Sequence, residues 1–93
     1  QAKKSELYGK VISDREKPIG EAYVFISTLN GRQSAVVKSD LKGNYHAPWI
    51  DPDTYILWAK SKYGKSKPVT VILNNGAAKR VDIKFGKLPK KKR

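Results

Sequence analysis

Glu21-Ala22-Tyr23-Val24-Phe25-Ile26-Ser27-Thr28 leads through Leu29-Asn30-Gly31-Arg32 into Gln33-Ser34-Ala35-Val36-Val37-Lys38-Ser39. Two runs rich in β-branched and aromatic residues flank an Asn-Gly pair. That pair is a strong hairpin signal, because both residues tolerate positive φ. Strand side chains alternate between faces, so Ala22, Val24 and Ile26 share one face, and Ala35 and Val37 join them across the turn. Tyr23 and Phe25 then point the other way.

The same grammar continues in both directions. Strands are expected at about 7–13, 21–28, 33–39, 44–47, 54–60, 68–73 and 79–85, separated by Gly, Pro, Asn and Asp turns every 8–12 residues or so. Pro48 is expected to end the fourth strand's pairing, with 49–53 as a connection. No helix-period apolar pattern of useful length occurs. The expected fold is all-β: a seven-stranded, two-layer, antiparallel or mixed β-sandwich. Its inward set also takes in Leu7, Gly9 and Val11; Tyr45; Tyr55, Leu57 and Ala59; Val69, Val71 and Leu73; and Val81, Ile83 and Phe85. The domain organisation is a flexible arm over 1–6, the sandwich over 7–86 and a basic, disordered tail over 87–93.

The chain has 93 residues, enough for one core. Lys and Arg number 20 against 8 Asp and Glu, a formal charge of +12. There is no Cys, which excludes disulfides, Cys-based zinc or iron–sulfur sites and c-type haem attachment. A single His excludes a multi-histidine metal site. No apolar run approaches the ~20 residues that a transmembrane helix needs. This arithmetic argues against an independent enzyme, and no cofactor is expected. A start at Gln1 is what removal of an export signal often leaves behind, which would give a secreted or periplasmic location, and it is equally what a trimmed or proteolytic fragment shows.

Several strands break the apolar-in, polar-out rule. Tyr23, Phe25, Ile56 and Trp58 fall on the face that a two-layer sandwich normally exposes to water, as do Ile12 and Ile72. If Tyr23, Phe25, Ile56 and Trp58 lie on adjacent strands they form an aromatic outer face, the kind of patch that marks a protein contact. A slip of one residue in register, or a covering loop, would remove it. Basic residues supply a second candidate, an anion-binding set of Lys60, Lys62, Lys65, Lys79, Arg80, Lys90, Lys91, Lys92 and Arg93. Such a surface attracts polyanions with an affinity that falls steeply with salt.

Gly9-Lys10-Val11, Pro18-Ile19-Gly20-Glu21-Ala22-Tyr23-Val24, Ser39-Asp40, Gly43-Asn44-Tyr45 and Asp53-Thr54-Tyr55-Ile56-Leu57 occur in this order. This pattern, from Gly9 to about Phe85, resembles the carboxypeptidase regulatory-like domain, a transthyretin (prealbumin)-type sandwich. Ser39-Asp40 and Pro52-Asp53 stand where that family usually has Thr-Asp and Pro-Gly. The resemblance implies a fold and an exported, non-catalytic appendage, not a chemistry. Transthyretin-like hydrolases need a His and Arg cluster and a C-terminal Tyr-Arg-Gly-Ser motif, both absent here.

His46 lacks an evident nucleophile and orienting acid for a triad. Asp51 and Asp53 are too few acids for a calcium site in a positive field. The expected function is therefore a structural or assembly module. It would dock onto itself or a larger surface protein through sheet edges and the aromatic face. The alternative is a salt-sensitive binder of acidic polysaccharide or extracellular nucleic acid.

Overall fold

The computed structural model of the chain describes residues 4–86. Among them are nine strand segments and no helix: β1 (Ser5–Ile12), β2 (Tyr23–Thr28), β3 (Gln33–Lys38), β4 (Asn44–Ile50), β5 (Asp53–Ser61), β6 (Gly64–Lys65), β7 (Val69–Leu73), β8 (Ala78–Arg80) and β9 (Ile83–Lys84). The larger sheet runs β3-β2-β5, with β6 and β7 both along the far edge of β5. The smaller runs β4-β1, with β8 and β9 both parallel to β1 on its other edge. The sheets enclose a core of Leu7, Val11, Val24, Ile26, Tyr45, Tyr55, Leu57, Leu73, Ile83, Phe85 and smaller neighbours. The residues assigned inward from alternation are all buried or packed against this core.

Nine segments stand against the seven expected because the last expected strand is broken into β8 and β9 and a short extra segment, β6, pairs with the end of β5 in a stretch expected as a loop; each feature has a side-chain cause. Between β6 and β7, Ser66 turns inward. Its backbone N–H donates to the Ala59 carbonyl, and its hydroxyl accepts from the Ala59 N–H at 2.8 Å. The hydroxyl thus replaces a ladder carbonyl. Between β8 and β9, the chain bulges over Gly9 at Val81-Asp82. The Asp82 carboxylate accepts from the Lys10 N–H at 3.0 Å, and the Tyr45 hydroxyl donates to the Val81 carbonyl. Every buried backbone group displaced from a ladder needs such a partner.

Turn chemistry explains the remaining boundaries. The β2–β3 connection is Leu29-Asn30-Gly31-Arg32, with a turn closed by Gly31 N–H to the Thr28 carbonyl at 2.9 Å and Thr28 N–H donating to the Arg32 carbonyl at 2.8 Å. Only Gly31 takes positive φ (89°). Asn30 acts through its side chain instead, accepting from Thr28 Oγ1 and from the Arg32 N–H. At the β3–β4 crossover, the Asp40 carboxylate accepts the N–H groups of Lys42 and Asn44, each at 2.9 Å. The Asn44 bond is the main reason its carboxyl lies below the ordinary range. The neighbouring Ser39 is buried; its hydroxyl accepts from the Ala22 N–H and donates to the Ile19 carbonyl.

Two boundaries correct the sequence reading. β1 begins at Ser5, inside the stretch expected to be an arm. Ser5 is buried, with its hydroxyl on the Asn74 carbonyl at 2.6 Å. β4 does not end at Pro48: pairing resumes at Ile50 opposite Ser5, and Pro48-Trp49 form a β-bulge opposite Glu6. The stretch 87–93 lies outside the described residues.

Candidate functional site

Register decides which side chains share a face. Phe25 pairs with Trp58 across β2–β5 and with Val36 across β2–β3. Tyr23 pairs with Lys60 and Lys38, and Ile56 pairs with Thr70 of β7. Tyr23, Phe25, Ile56 and Trp58 therefore lie together on the outer face of the larger sheet, two on each of two adjacent strands. Val36 and Ile72 extend this apolar surface toward both edges, and both were legible as outward positions from strand alternation. Ile12 belongs to the other sheet.

The face organises itself without being covered. Phe25 and Trp58 stack with ring centroids 4.4 Å apart and planes inclined by 19°, an arrangement worth about 0.5–1.5 kcal/mol beyond area burial. Lys65 Nζ lies 5.4 Å from the Trp58 centroid, and Lys38 Nζ lies 5.6 Å from that of Tyr23. The lysine stems shield part of the rings while their ammonium groups stay in water. Phe25, Ile56 and Trp58 are half-buried, but Tyr23 remains 49 % and Ile72 61 % exposed. Among the described residues no acid pairs with the lysines on this face, and Asp53, the one acid within these strands, is in phase with the inward set.

The basic set divides. Lys60 and Lys65 pair directly across the β5–β6 hairpin, whose loop holds Lys62 beside Tyr63 (Nζ to centroid 5.3 Å). Lys79 and Arg80 sit on β8 in the other sheet, and Arg80 is held by Asp82 at 3.1 Å. Lys90, Lys91, Lys92 and Arg93 lie outside the described residues.

The smaller sheet presents a different outer surface. Glu6 pairs with His46, Arg80 with Asp82, and Lys84 with Glu16 at 3.8 Å. His46 is thus tied to a carboxylate, while Ser39 is committed to the structural bonds described above. Asp51 pairs with Lys4, and the Asp53 carboxylate caps its own strand through the Thr54 N–H. Among the described residues no three metal-ligating side chains gather, and no helix is long and apolar enough to cross a membrane.

The edges also differ. β4 carries Pro48 and a bulge, β8 and β9 are short, charged and broken, and β3 ends in Lys38. β7 reads Val-Thr-Val-Ile-Leu, with no charge and no proline, and among the described residues it pairs only with β5. Charges, proline, bulges and short strands are how proteins protect an edge from strand addition; β7 uses only its modest length.

No family model matches the chain, and no curated protein matches it in sequence. Solved structures do match in fold. A minor pilin of Streptococcus agalactiae superposes with a TM-score of 0.71 at 15 % identity, over 99 % of this chain and 48 % of the pilin. A chlorocatechol 1,2-dioxygenase from Pseudomonas putida superposes with a TM-score of 0.64 at 12 % identity, over 92 % of this chain and 61 % of the enzyme. The chain spans about half the length of the pilin and about three-fifths of the dioxygenase. At such identities the likeness is one of fold: an all-β, two-sheet sandwich shared with proteins of unlike function.

Proposed function

We propose that the protein is a non-catalytic assembly module, working outside the cytoplasm, that docks a larger protein on the outer face of its larger sheet. The observation that carries this reading is the contiguous apolar surface of Tyr23, Phe25, Val36, Ile56, Trp58 and Ile72, rimmed by Lys38, Lys60 and Lys65 without an opposing acid. The smaller sheet, by contrast, pairs its charges. The partner's contact surface is apolar with an acidic border. A second copy of the same face is the poorer fit, since its lysines would meet their own kind. The uncharged β7 edge adjoins this face through Ile72 and suits an extended strand from the partner. The minor pilin of similar fold supports a structural role, and the dioxygenase of similar fold shows why the site must carry the argument. A prealbumin-like, carboxypeptidase regulatory-like classification fits the same reading.

A photo-crosslinking residue at position 58 tests this in the native source, with position 8 on the opposite outer face as control. Position 58 should capture one defined protein that position 8 does not. Trp58→Ser should then weaken binding of that purified protein at least about tenfold, as central aromatic anchors do. Equal capture from both faces, or an unchanged affinity, would overturn the proposal.

A second reading rests on Lys60, Lys62 and Lys65, which share one hairpin with Tyr63 beside Trp58. It makes the hairpin a binder of anionic polymer. Lys62→Glu with Lys65→Glu should then abolish heparin binding in low salt, and the parent's affinity should fall steeply as salt rises. Salt-insensitive binding, or none, would remove this reading.

A further inference from the structure

Trp49 is placed in a way that the fold does not require. It occupies the bulge of β4 with φ at +63°, a left-handed conformation that bulky residues rarely adopt. Its side chain is 78 % exposed, so core packing does not compensate the strain. An exposed aromatic held in a strained bulge is a combination that clusters at functional sites, where a bulge re-aims a side chain.

Two recesses adjoin it. One, of about 410 Å³, is lined by Lys4, Glu6, His46, Pro48, Trp49 and Ala77 among others. The other, of about 280 Å³, shares Pro48 and Trp49 and adds Arg32, Asp51 and Tyr55. The first lies within the range of small-ligand pockets and the second just below it. Their charged groups are matched rather than uniformly basic. Glu6 pairs with His46, and Lys4 of the first recess pairs with Asp51 of the second. With His46 neutral and Arg32 included, the formal charges cancel, on a chain that carries +12 overall.

We propose that Trp49 and its two recesses form a binding site for a neutral oligosaccharide. A pyranose ring presents a face of C–H groups with slight positive charge, which suits the electron-rich face of an indole. Its hydroxyls both donate and accept, which suits the Glu6 carboxylate beside the His46 imidazole in one recess and the Asp51 and Arg32 side chains that line the other. Two recesses that share Pro48 and Trp49 give room for successive sugar rings. A knob meant for a protein would more naturally stand on a flat or convex surface. The cancelled charge separates this site from both the lysine-rimmed face and the basic hairpin.

Calorimetric titration with neutral tetrasaccharides of β-1,4-linked glucose, α-1,4-linked glucose and β-1,4-linked N-acetylglucosamine tests it. At least one should bind saturably, with an affinity insensitive to salt. Trp49→Gly removes the ring and relieves the backbone, so it should lose at least about tenfold in affinity while melting no earlier than the parent. Glu6→Gln should weaken binding less, and Trp58→Ala should leave it unchanged. The proposal is overturned if none of the three saccharides saturates, or if Trp49→Gly binds like the parent. It is equally overturned if Trp49→Gly weakens instead the protein complex captured through position 58.

Discussion

Gly9→Ala should lower stability by about 3 kcal/mol or more, at or beyond the usual upper end for overpacking. A Cβ at Gly9 would stand 2.1 Å from the Val81 carbonyl oxygen and 2.7 Å from its carbon, both backbone atoms. A flexible side chain could swing away from such an intruder, but this carbonyl is fixed by the Tyr45 hydroxyl. Relief would require moving the Val81-Asp82 bulge off β1, which would break the Asp82 to Lys10 bond and unseat the buried Val81 and Ile83. Gly31→Ala is the comparison. Gly31 also has positive φ, at 89°, but a Cβ there would meet nothing within 4 Å, so only backbone strain of about 1–2 kcal/mol applies. Urea unfolding of the two variants separates clash from strain. Equal losses would show that β8 and β9 can shift away from Gly9.

What the sequence disclosed, and what it hid, follows from the range over which each feature is determined. Alternation along one strand is local, so Tyr55, Leu57 and Ala59 could be assigned inward and Ile56 and Trp58 outward from the residues alone. The Phe25–Trp58 stack needed register as well. Phase alone put both rings on outward positions, but the hairpin after Thr28 sets only the β2–β3 register, and the β2–β5 pairing that brings Phe25 beside Trp58 joins segments distant in sequence. The interruption at Val81-Asp82 was hidden because its cause is distant. Asp82 replaces a backbone acceptor for Lys10, 72 residues away, and Gly9 matters only because β8 and β9 return beside it. Trp49 was hidden for another reason. Read locally, Pro48 ends a strand, and only the renewed pairing of Ile50 with Ser5 turns the pair Pro48-Trp49 into a bulge. Pro48 carried the available signal, since proline inside a sheet marks an edge or a bulge.

The two outer faces divide the charge that the sequence presents as one set. Lysines spread through the sequence look like one anion-binding surface. In the fold, Lys4 and Lys84 pair with acids, Arg80 pairs with Asp82, and Lys79 sits apart from the β5–β6 hairpin. The uncompensated lysines Lys38, Lys60 and Lys65 instead border aromatic rings. Cations beside apolar surface, with no acid near, suit a partner that brings both apolar area and negative charge. Such a rim sets orientation and association rate more than affinity. In the proposed docking, affinity would then rest on the stacked pair at the centre.

Tyr45→Phe should destabilise the protein by about 1–3 kcal/mol, the range for leaving a buried carbonyl without its donor. Its ring fills the core from β4, and phenylalanine would fill it equally well, so the loss isolates the bond from the Tyr45 hydroxyl to the Val81 carbonyl. The same bond gives a pH signature. Burial, with the negative charge of Asp82 adding to it and Arg80 opposing, raises the Tyr45 hydroxyl above its ordinary value of 10.0. A group whose folded pKa is raised contributes stability that is complete below the unfolded pKa and declines as pH rises above it. The parent should therefore lose stability progressively above about pH 10, as the unfolded chain releases a proton that the folded chain retains. Tyr45→Phe should show a shallower alkaline decline, so the difference between the two proteins narrows there. Asp82→Asn removes the charge while keeping a side-chain acceptor for Lys10. It lowers the folded pKa of Tyr45 toward the unfolded one, so the decline should begin at the same pH but level off sooner. Urea titrations from neutral to alkaline pH read all three. Parallel decline of the parent and Tyr45→Phe would mean that the Tyr45 hydroxyl ionises freely and does not hold Val81 in place.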